Sequence, residues 1–535
     1  MRKTRLIAWL CVMCMLTLIP MAGLSEITPA SAEEIAKYQP DDNKKYELHV
    51  AGWLAGPVDN ENGPVISEME KQTGLRIVSE NIDGSKYNDL ISLRLASGDI
   101  PDLYSLTPHA TFSKFYDQGV VKSFTEQEFA ALAPGLYNLI MEEAPGALDL
   151  VRLDPEHPEL LMGIPQYKFH SQFIFPFIWR KDWLVKVGID KIPDNMDEFE
   201  EAAYKFAKND PDGNGKDDTY GVSTSGVDAV YAAYGYRPEA WSDRDGKLVF
   251  GAVQPEMKDA LERLAKWYQD GVIDPEFITG ENTGGRADIS AAFNGDRVGM
   301  TRWADYWTWC PVNPVGLNWQ EFAKSHENAE EILAITQPIL AMDGVSRNTY
   351  RAPVVQNTFW CFSADIPDDL FGKAMQFLDW EYGTYENYRL AWYGIQGEHW
   401  DFDEENHEQP IGEYALDKGL QNKIGAYTTM GAIVEPFDYQ GRVRAGLAPW
   451  AEGIGLSDPN FTQFGIVDKL LVTTPSYNMY WVELEKIREE AYIDIITGKK
   501  PIAYFDEFVD RWMQSGGAAI TEEANEWYAS TQHNK

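Results

Sequence analysis

The sequence predicts an α/β protein built as two lobes, each a largely parallel sheet flanked by helices. Strand-like and helix-like stretches alternate between residues 46 and 106, and the same alternation returns between 173 and 300. The chain has 535 residues, too many for one domain at roughly 100–200 residues each. Residues 33–45 are polar and read as a loose leader. Tyr46 to Trp53 (YELHVAGW) alternates like a strand entering a core. Val65 to Thr73 reads as a helix, Leu75 to Glu80 as a second strand, and Tyr87 to Ser97 as an amphipathic helix ended by Gly98. Pro101 then precedes a short strand, Asp102 to Leu106.

The middle of the chain repeats that grammar. Phe173 to Trp179 reads as a buried strand and Arg180 to Val187 as a helix stopping near Gly188. Asn195 starts a helix with acids in its first turn that runs to about Lys208. Pro255 to Asp270 is amphipathic, and Phe293 to Met300 reads as a helix end, a turn and a strand. Asp368 to Tyr382 and Trp481 to Thr497 are helical. No fixed-period repeat or low-complexity tract appears.

Charge narrows the partners. Lys and Arg number 46 against 84 Asp and Glu, a net charge of −38. Phosphate contacts need clustered Lys and Arg, so nucleic acid is not an expected partner, and an anionic membrane surface would repel the chain. Arg2, Lys3 and Arg5 precede an apolar run from Leu6 to Ile19, too short to span a membrane, and Ala30-Ser31-Ala32 follows as a small-residue cleavage pattern. Residues 1–32 are therefore expected to be a signal peptide of an exported protein. Cys11 and Cys14 lie inside it, preceded by Leu10 and Met13 rather than by the small residue that lipid attachment requires. Cys310 and Cys361 remain, either as a bridge or as two buried thiols.

The sharpest local motif is Asp210-Pro-Asp212-Gly-Asn214-Gly-Lys216-Asp-Asp218. Oxygen-bearing side chains recur at positions 1, 3, 5 and 9 with Gly at 6, and the Lys216 carbonyl falls at 7, a spacing that wraps six to eight oxygens around Ca²⁺. The usual Glu at position 12 is Gly221, and Thr219 to Ser223 reads as a strand. That combination suits a structural ion site rather than a calcium sensor; the alternative is an ion-free Asp/Asn/Gly turn.

Catalytic signatures are missing. No nucleophile elbow, phosphate-cradling glycine loop or zinc helix occurs, and His109, His170 and His399 have no ligand spacing. With 84 acids, nearby carboxylate pairs carry no information about glycosidase chemistry. Aromatic residues cluster instead. Thr301 to Trp309 holds Trp303, Tyr306, Trp307 and Trp309; Ala391 to Trp400 holds Trp392, Tyr393 and Trp400; and Trp53 ends the first strand. Sugar rings stack on aromatic faces while a few polar groups bond their hydroxyls. Candidate ligand contacts are therefore Trp53, Trp303, Trp307, Trp392 and Trp400, with Arg302, Asp305 and Glu398 beside them and Asn81, Asp83 and Lys86 after the second strand. Each Trp equally suits core packing.

Five stretches together resemble the extracellular solute-binding proteins, family 1, of bacterial ABC-type carbohydrate importers: Leu93 to Asp102, Trp179 to Gly221 with its Asp210–Asp218 loop, Phe293 to Met300, Tyr393 to Trp400 and Thr521 to Tyr528. The resemblance implies a two-lobed periplasmic-binding-protein-like fold whose lobes, joined by a hinge, close over an oligosaccharide. Lobe one would comprise 46–168 and 335–395, and lobe two 172–334 and 396–535. It further implies Ca²⁺ in the Asp210, Asp212, Asn214, Lys216 and Asp218 loop, a membrane permease as partner, a monomeric state and no bond changed in the sugar. Its rivals are a secreted glycoside hydrolase or polysaccharide lyase, and a sensory module presenting bound sugar to a receptor.

Overall fold

The computed structural model describes residues 27–41, 43–52, 63–80, 82, 86–107, 109–143, 145–154, 156–168, 176–279, 290–302, 306–309, 317–350, 355–402, 408–412, 425, 434–435 and 465–532. Residues 1–26, most of the expected signal peptide, lie outside them. The chain forms β1 (Tyr46–Ala51), α1 (Pro64–Thr73), β2 (Leu75–Ser79), α2 (Tyr87–Ser97), β3 (Leu103–Leu106) and β4 (Ile164–Lys168) in the first lobe. The second lobe follows with β5 (Phe177–Arg180), α3 (Met196–Lys208), α4 (Thr224–Ala233), β6 (Trp241–Arg244), β7 (Lys247–Phe250), α5 (Pro255–Gln269), β8 (Met300–Thr301) and β9 (Leu333–Thr336). Then come β10 (Thr349–Tyr350), β11 (Val355–Phe362), α6 (Asp368–Gly383), α7 (Tyr385–Tyr393), β12 (Val434–Glu435), β13 (Gly465–Ile466), α8 (Pro475–Ile496) and α9 (Ala518–Gln532).

Two large buried clusters make the lobes. One draws on residues between Tyr38 and Ile164 and between Phe359 and Trp392; the other runs from Phe177 to Met300 and adds Ile339 and residues between Leu470 and Ala524. The sheet of the first lobe has the order β12-β4-β11-β3-β1-β2. β1 pairs in parallel with β2 and β3, whereas β11 runs antiparallel to both β3 and β4. In the second lobe β5 lies between β8 and β9, antiparallel to each. The expected parallel sheet is thus reduced there to single bridges, Tyr220 with Val298 and Val222 with Ile273. The strand expected over Thr219–Ser223 shrinks to those bridges because α3 presses on it: a Cβ on Gly221 would come 2.6 Å from the Ala203 carbonyl oxygen.

The leader is not loose. Ala36–Tyr38 forms a short helical turn with Tyr38 buried, and its backbone lies against α6, where a Cβ on Gly372 would meet the Tyr38 oxygen at 1.7 Å. Lys44 and the Tyr46 hydroxyl both reach Asp369, at 2.5 and 3.1 Å. An aromatic ring and an ion pair secure a segment that its polar composition hides. Helix α8 starts at Pro475 rather than at Trp481, because Thr474 caps it by accepting the Tyr477 N–H and Pro fits the first turn. The expected strand over Phe173–Trp179 appears as β5 from Phe177, residues 171–175 being outside the described set.

Among the described residues the chain passes from one cluster to the other between β4 and β5, between β9 and β11, and between Phe402 and α8. Strands β10 and β13, from the second and third passages, pair in parallel through Thr349 with Gly465 and Tyr350 with Ile466. This pair is the described part of the hinge. Among the described residues no helix is long and apolar enough to cross a membrane.

Candidate functional site

Several motif residues prove to be the mortar of the lobes. Arg180, nearly sealed, forks onto both Asp182 oxygens at 2.9 and 2.8 Å, also bonds Asp296, and covers the Trp183 ring at 4.7 Å. It therefore ties the Trp179–Asp182 stretch to the Phe293–Met300 stretch. In the first lobe Arg94 pairs with Asp99 and Glu80, and Asp102 accepts the His49 N–H at 2.9 Å where β3 has only just begun alongside β1. The Tyr393–Trp400 stretch is a tight turn on the end of α7. Gly394 has φ +89°, a Cβ there would strike His399, and the Trp400 indole donates to the Gly394 oxygen at 2.8 Å.

The proposed ligand contacts fall into three groups. Trp53, Asn81, Asp83, Trp303 and Asp305 lie outside the described residues, as does the Trp307 side chain, whose backbone belongs to the helical turn Tyr306–Trp309. Trp392 is buried in the core of lobe one, and Trp400, expected in lobe two, is buried against the end of α7 in lobe one. Trp392 stacks on Tyr388 at 5.2 Å and bonds Glu381, while Arg389 lies over the Trp400 ring at 4.7 Å. Lys86 is exposed at the start of α2, and Glu398 is exposed beside Trp400, Gln72 and Arg389 in a hollow on lobe one. Cys361 is a free, fully buried thiol in β11; Cys310 is outside the described set.

Arg302 is different. It follows β8, and its position is set from α4: the Ser225 hydroxyl meets the Thr301 hydroxyl at 2.9 Å and the Ser225 carbonyl accepts Arg302 Nε at 3.1 Å. One turn along the same face, Asp228 meets Arg302 Nη2 at 3.0 Å. Two similar pairs stand near it, linked to it electrostatically. Arg237 bonds Glu239 on the loop after α4, and Arg488 forks onto Glu485 on α8 at 3.1 and 2.8 Å. The loop is held down at Gly251, where a Cβ would sit 1.9 Å from the Arg237 oxygen. Asp468 completes the group two residues after hinge strand β13, accepting the Trp241 and Leu470 N–H groups at 3.1 Å each.

The three pairs share one orientation. The arginine side chains are sunk, with relative exposures of 5% for Arg302, 13% for Arg237 and 14% for Arg488. Their carboxylates are wet, at 37% for Asp228, 42% for Glu239 and 24% for Glu485. Burial nevertheless pushes Asp228 and Glu485 above the usual carboxylate range against the pull of Arg302 and Arg488. At Glu239 burial acts in the same sense, but Arg237 and Arg488 outweigh it and hold that carboxyl low. Burial carries Asp468 to about 6. These carboxylates are hemmed in by protein yet reached by water, and α4, which carries Asp228, packs against hinge strand β10. Of this wall only Arg302 was legible in the sequence. The Glu485–Arg488 spacing of one helical turn is a signal, but one shared by many surface pairs.

The Asp210–Asp218 loop is tightly wound. Asp210 has φ +47°, Gly213 +77° and Gly215 +75°, and nothing stands within 4 Å of a Cβ on either glycine, so conformation alone demands them. The Asn214 amide donates to Asp212 at 2.6 Å and to Asp218 at 3.1 Å, and Asp210 accepts the Gly215 N–H at 3.0 Å. Asp210 and Asp212 also meet each other: hydrogen bonding to Asp212 holds Asp210 low, while burial pushes Asp212 up. Two carboxylates thus share a bond, and a third is reached through one amide. Among the described residues no group of three His, Cys, Asp or Glu side chains is gathered closely enough to hold a metal.

Comparison with known proteins agrees with this architecture. The chain is 24% identical over 526 residues to the polygalacturonan/rhamnogalacturonan-binding protein YtcQ of Bacillus subtilis (strain 168), a match covering 95% of each chain. It is 31% identical over 239 residues to lipoprotein LipO of the same organism, covering 43% of this chain and less than half, 45%, of LipO. Its fold is similar to that of the alginate-binding protein AlgQ2 solved without calcium ion, with a TM-score of 0.65 at 18% identity over 92% of this chain and 99% of the other. Residues 56–331, more than half of the sequence, match the family model described as bacterial extracellular solute-binding protein. With that match and its two-lobed fold, the chain belongs to the bacterial extracellular solute-binding protein family.

Proposed function

We propose that this protein captures an oligosaccharide between its lobes and delivers it, chemically unchanged, to the membrane permease of an ABC importer. The observation that carries the reading is the wall of wet carboxylates on sunk arginines beside the hinge, in a member of a solute-binding family. Hydroxyl-rich ligands need such fixed acceptors, and a site between hinged lobes converts binding into closure. The name of YtcQ, a relative matched along nearly its whole length, supports a carbohydrate as the solute. Ligand would bridge the wall and the opposite lobe, and the closed form is what a permease would recognise. The protein would act as an exported monomer, cleaved after Ala32. The test is a thermal-shift and tryptophan-fluorescence screen of the mature protein against oligosaccharides, with the ligand recovered afterwards. Intact sugar with a raised melting temperature is expected; released fragments would replace this reading by a glycoside hydrolase or lyase.

The same reading gives the Asp210–Asp218 loop to Ca²⁺, held by the side-chain oxygens of Asp210, Asp212, Asn214 and Asp218 and by the Lys216 carbonyl. The ion would supply positive charge that relieves the Asp210–Asp212 contact and pins the end of α3. Saturating Ca²⁺ at about 100 times its dissociation constant would stabilise the fold by about 2.7 kcal/mol. Adding EDTA is expected to lower the melting temperature of the wild type, and Asp212→Asn to abolish that response. An EDTA-insensitive wild type would reduce the loop to a turn.

A further inference from the structure

The wall has a chemical polarity that narrows its ligand, and the narrowing rests on the sugar-capture reading above. Each carboxylate is already charge-compensated by its own arginine: Asp228 by Arg302, Glu239 by Arg237 and Glu485 by Arg488. The arginines are the more deeply sunk partner of each pair, so a ligand on this face meets fixed hydrogen-bond acceptors and little cationic surface. The fourth carboxylate, Asp468, spends one oxygen, Oδ1, on the Trp241 and Leu470 N–H groups.

From this arrangement we infer that the sugar unit seated against lobe two is uncharged and presents hydroxyl donors to Asp228, Glu239 and Glu485, and that uronates are rejected there. A hydroxyl donates to a carboxylate and gains a charge-assisted bond. A uronate carboxylate has no proton to give at neutral pH and would face three partly buried acceptors of its own sign, where such repulsion is less screened than in open water. A cationic ligand would need carboxylates not already neutralised, and these are paired. The field of the whole chain acts in the same direction, since a net charge of −38 slows the approach of a polyanion. The inference separates this protein from YtcQ, which is named for binding acidic polysaccharides.

The experiment is calorimetric titration of the full mature protein with tetrasaccharides of galactose, glucose, mannose and xylose, and with tetragalacturonate and tetraglucuronate, at one ionic strength. The best neutral tetrasaccharide is expected to bind at least about tenfold tighter than the best uronate, the value of one charge-assisted bond. Asp228→Asn and Glu239→Gln, checked for unchanged melting temperature, are expected to weaken the neutral ligand and narrow that ratio. A uronate that binds as tightly as the best neutral sugar would overturn the inference and leave sugar capture standing. A ratio unmoved by both substitutions would also overturn it, by removing the wall as its source. Failure of all six sugars to bind would instead sink the sugar-capture reading, and this inference with it.

Discussion

Replacing Glu381 by Gln is expected to make the protein more stable at pH 9 by several kcal/mol and to change it little at pH 5. Glu381 lies within α6 in the core of lobe one, fully enclosed; one carboxyl oxygen, Oε2, has no hydrogen-bond partner, and the carboxyl group meets the Trp392 indole. Burial raises its pKa from 4.5 to about 8, with the Trp392 bond opposing weakly. Between those values the folded protein keeps a proton that the unfolded chain has released, so stability falls as pH rises across the interval. At about 1.4 kcal/mol per pH unit the loss accumulates to the order of 5 kcal/mol by the alkaline end. Gln stays neutral throughout, and its carbonyl can still accept the Trp392 N–H. Urea unfolding at pH 5, 7 and 9 should therefore show a falling wild type and a flatter variant, with Asp468, raised to about 6, adding a smaller fall of the same sign to both. Parallel curves for the two proteins would mean that Glu381 is not the proton holder.

The sequence discloses most readily whatever is local. Asn195 capping α3 and left-handed Gly98 ending α2 are chemical signals that sit beside the structure they cause, and both helices have the bounds expected of them. The start of α8 is hidden because its first turns leave Met479 and Val482 in solvent, so no amphipathic pattern marks them. Tyr38 is hidden for the opposite reason: its partners on α6 stand more than 300 residues away. The site divides in the same way. Arg302 is legible through the aromatic run that follows it, but Asp228, Glu239, Asp468 and Glu485 are four acids among 84, brought together only by the fold. The stretches that carry the family likeness turn out to encode mainly packing. Arg180, Asp182, Asp296, Gly221 and Gly299 hold lobe two together, and the wall they position is drawn from residues outside those stretches, such as Arg302 and Asp228.

The clearest case is Gly299, and Gly299→Val is expected to cost about 3 kcal/mol or more, the upper range for overfilling a core. A Cβ there would lie 2.1 Å from Cδ2 and 2.4 Å from Cε2 of Phe206, a ring that is fully buried and packs edge-on to Trp183 at 5.8 Å. The ring has no room to retreat. Nor can the backbone: the Gly299 carbonyl accepts the Arg180 N–H at 2.9 Å, and β8 begins at the next residue, paired with β5. Phe206→Leu in the same chain should open the needed space, so the double variant is expected to lose less than the sum of the singles, by about 0.5–3 kcal/mol. Strict additivity in thermal unfolding would show that the close approach is not what demands glycine. The effect should also reach the ligand. Gly299 and Arg302 flank the two-residue strand β8, and Arg302 pairs with Asp228 in the wall, so a displaced β8 moves an arginine–carboxylate pair. In the folded fraction of Gly299→Val, sugar affinity should therefore fall, and Phe206→Leu should restore affinity and stability together.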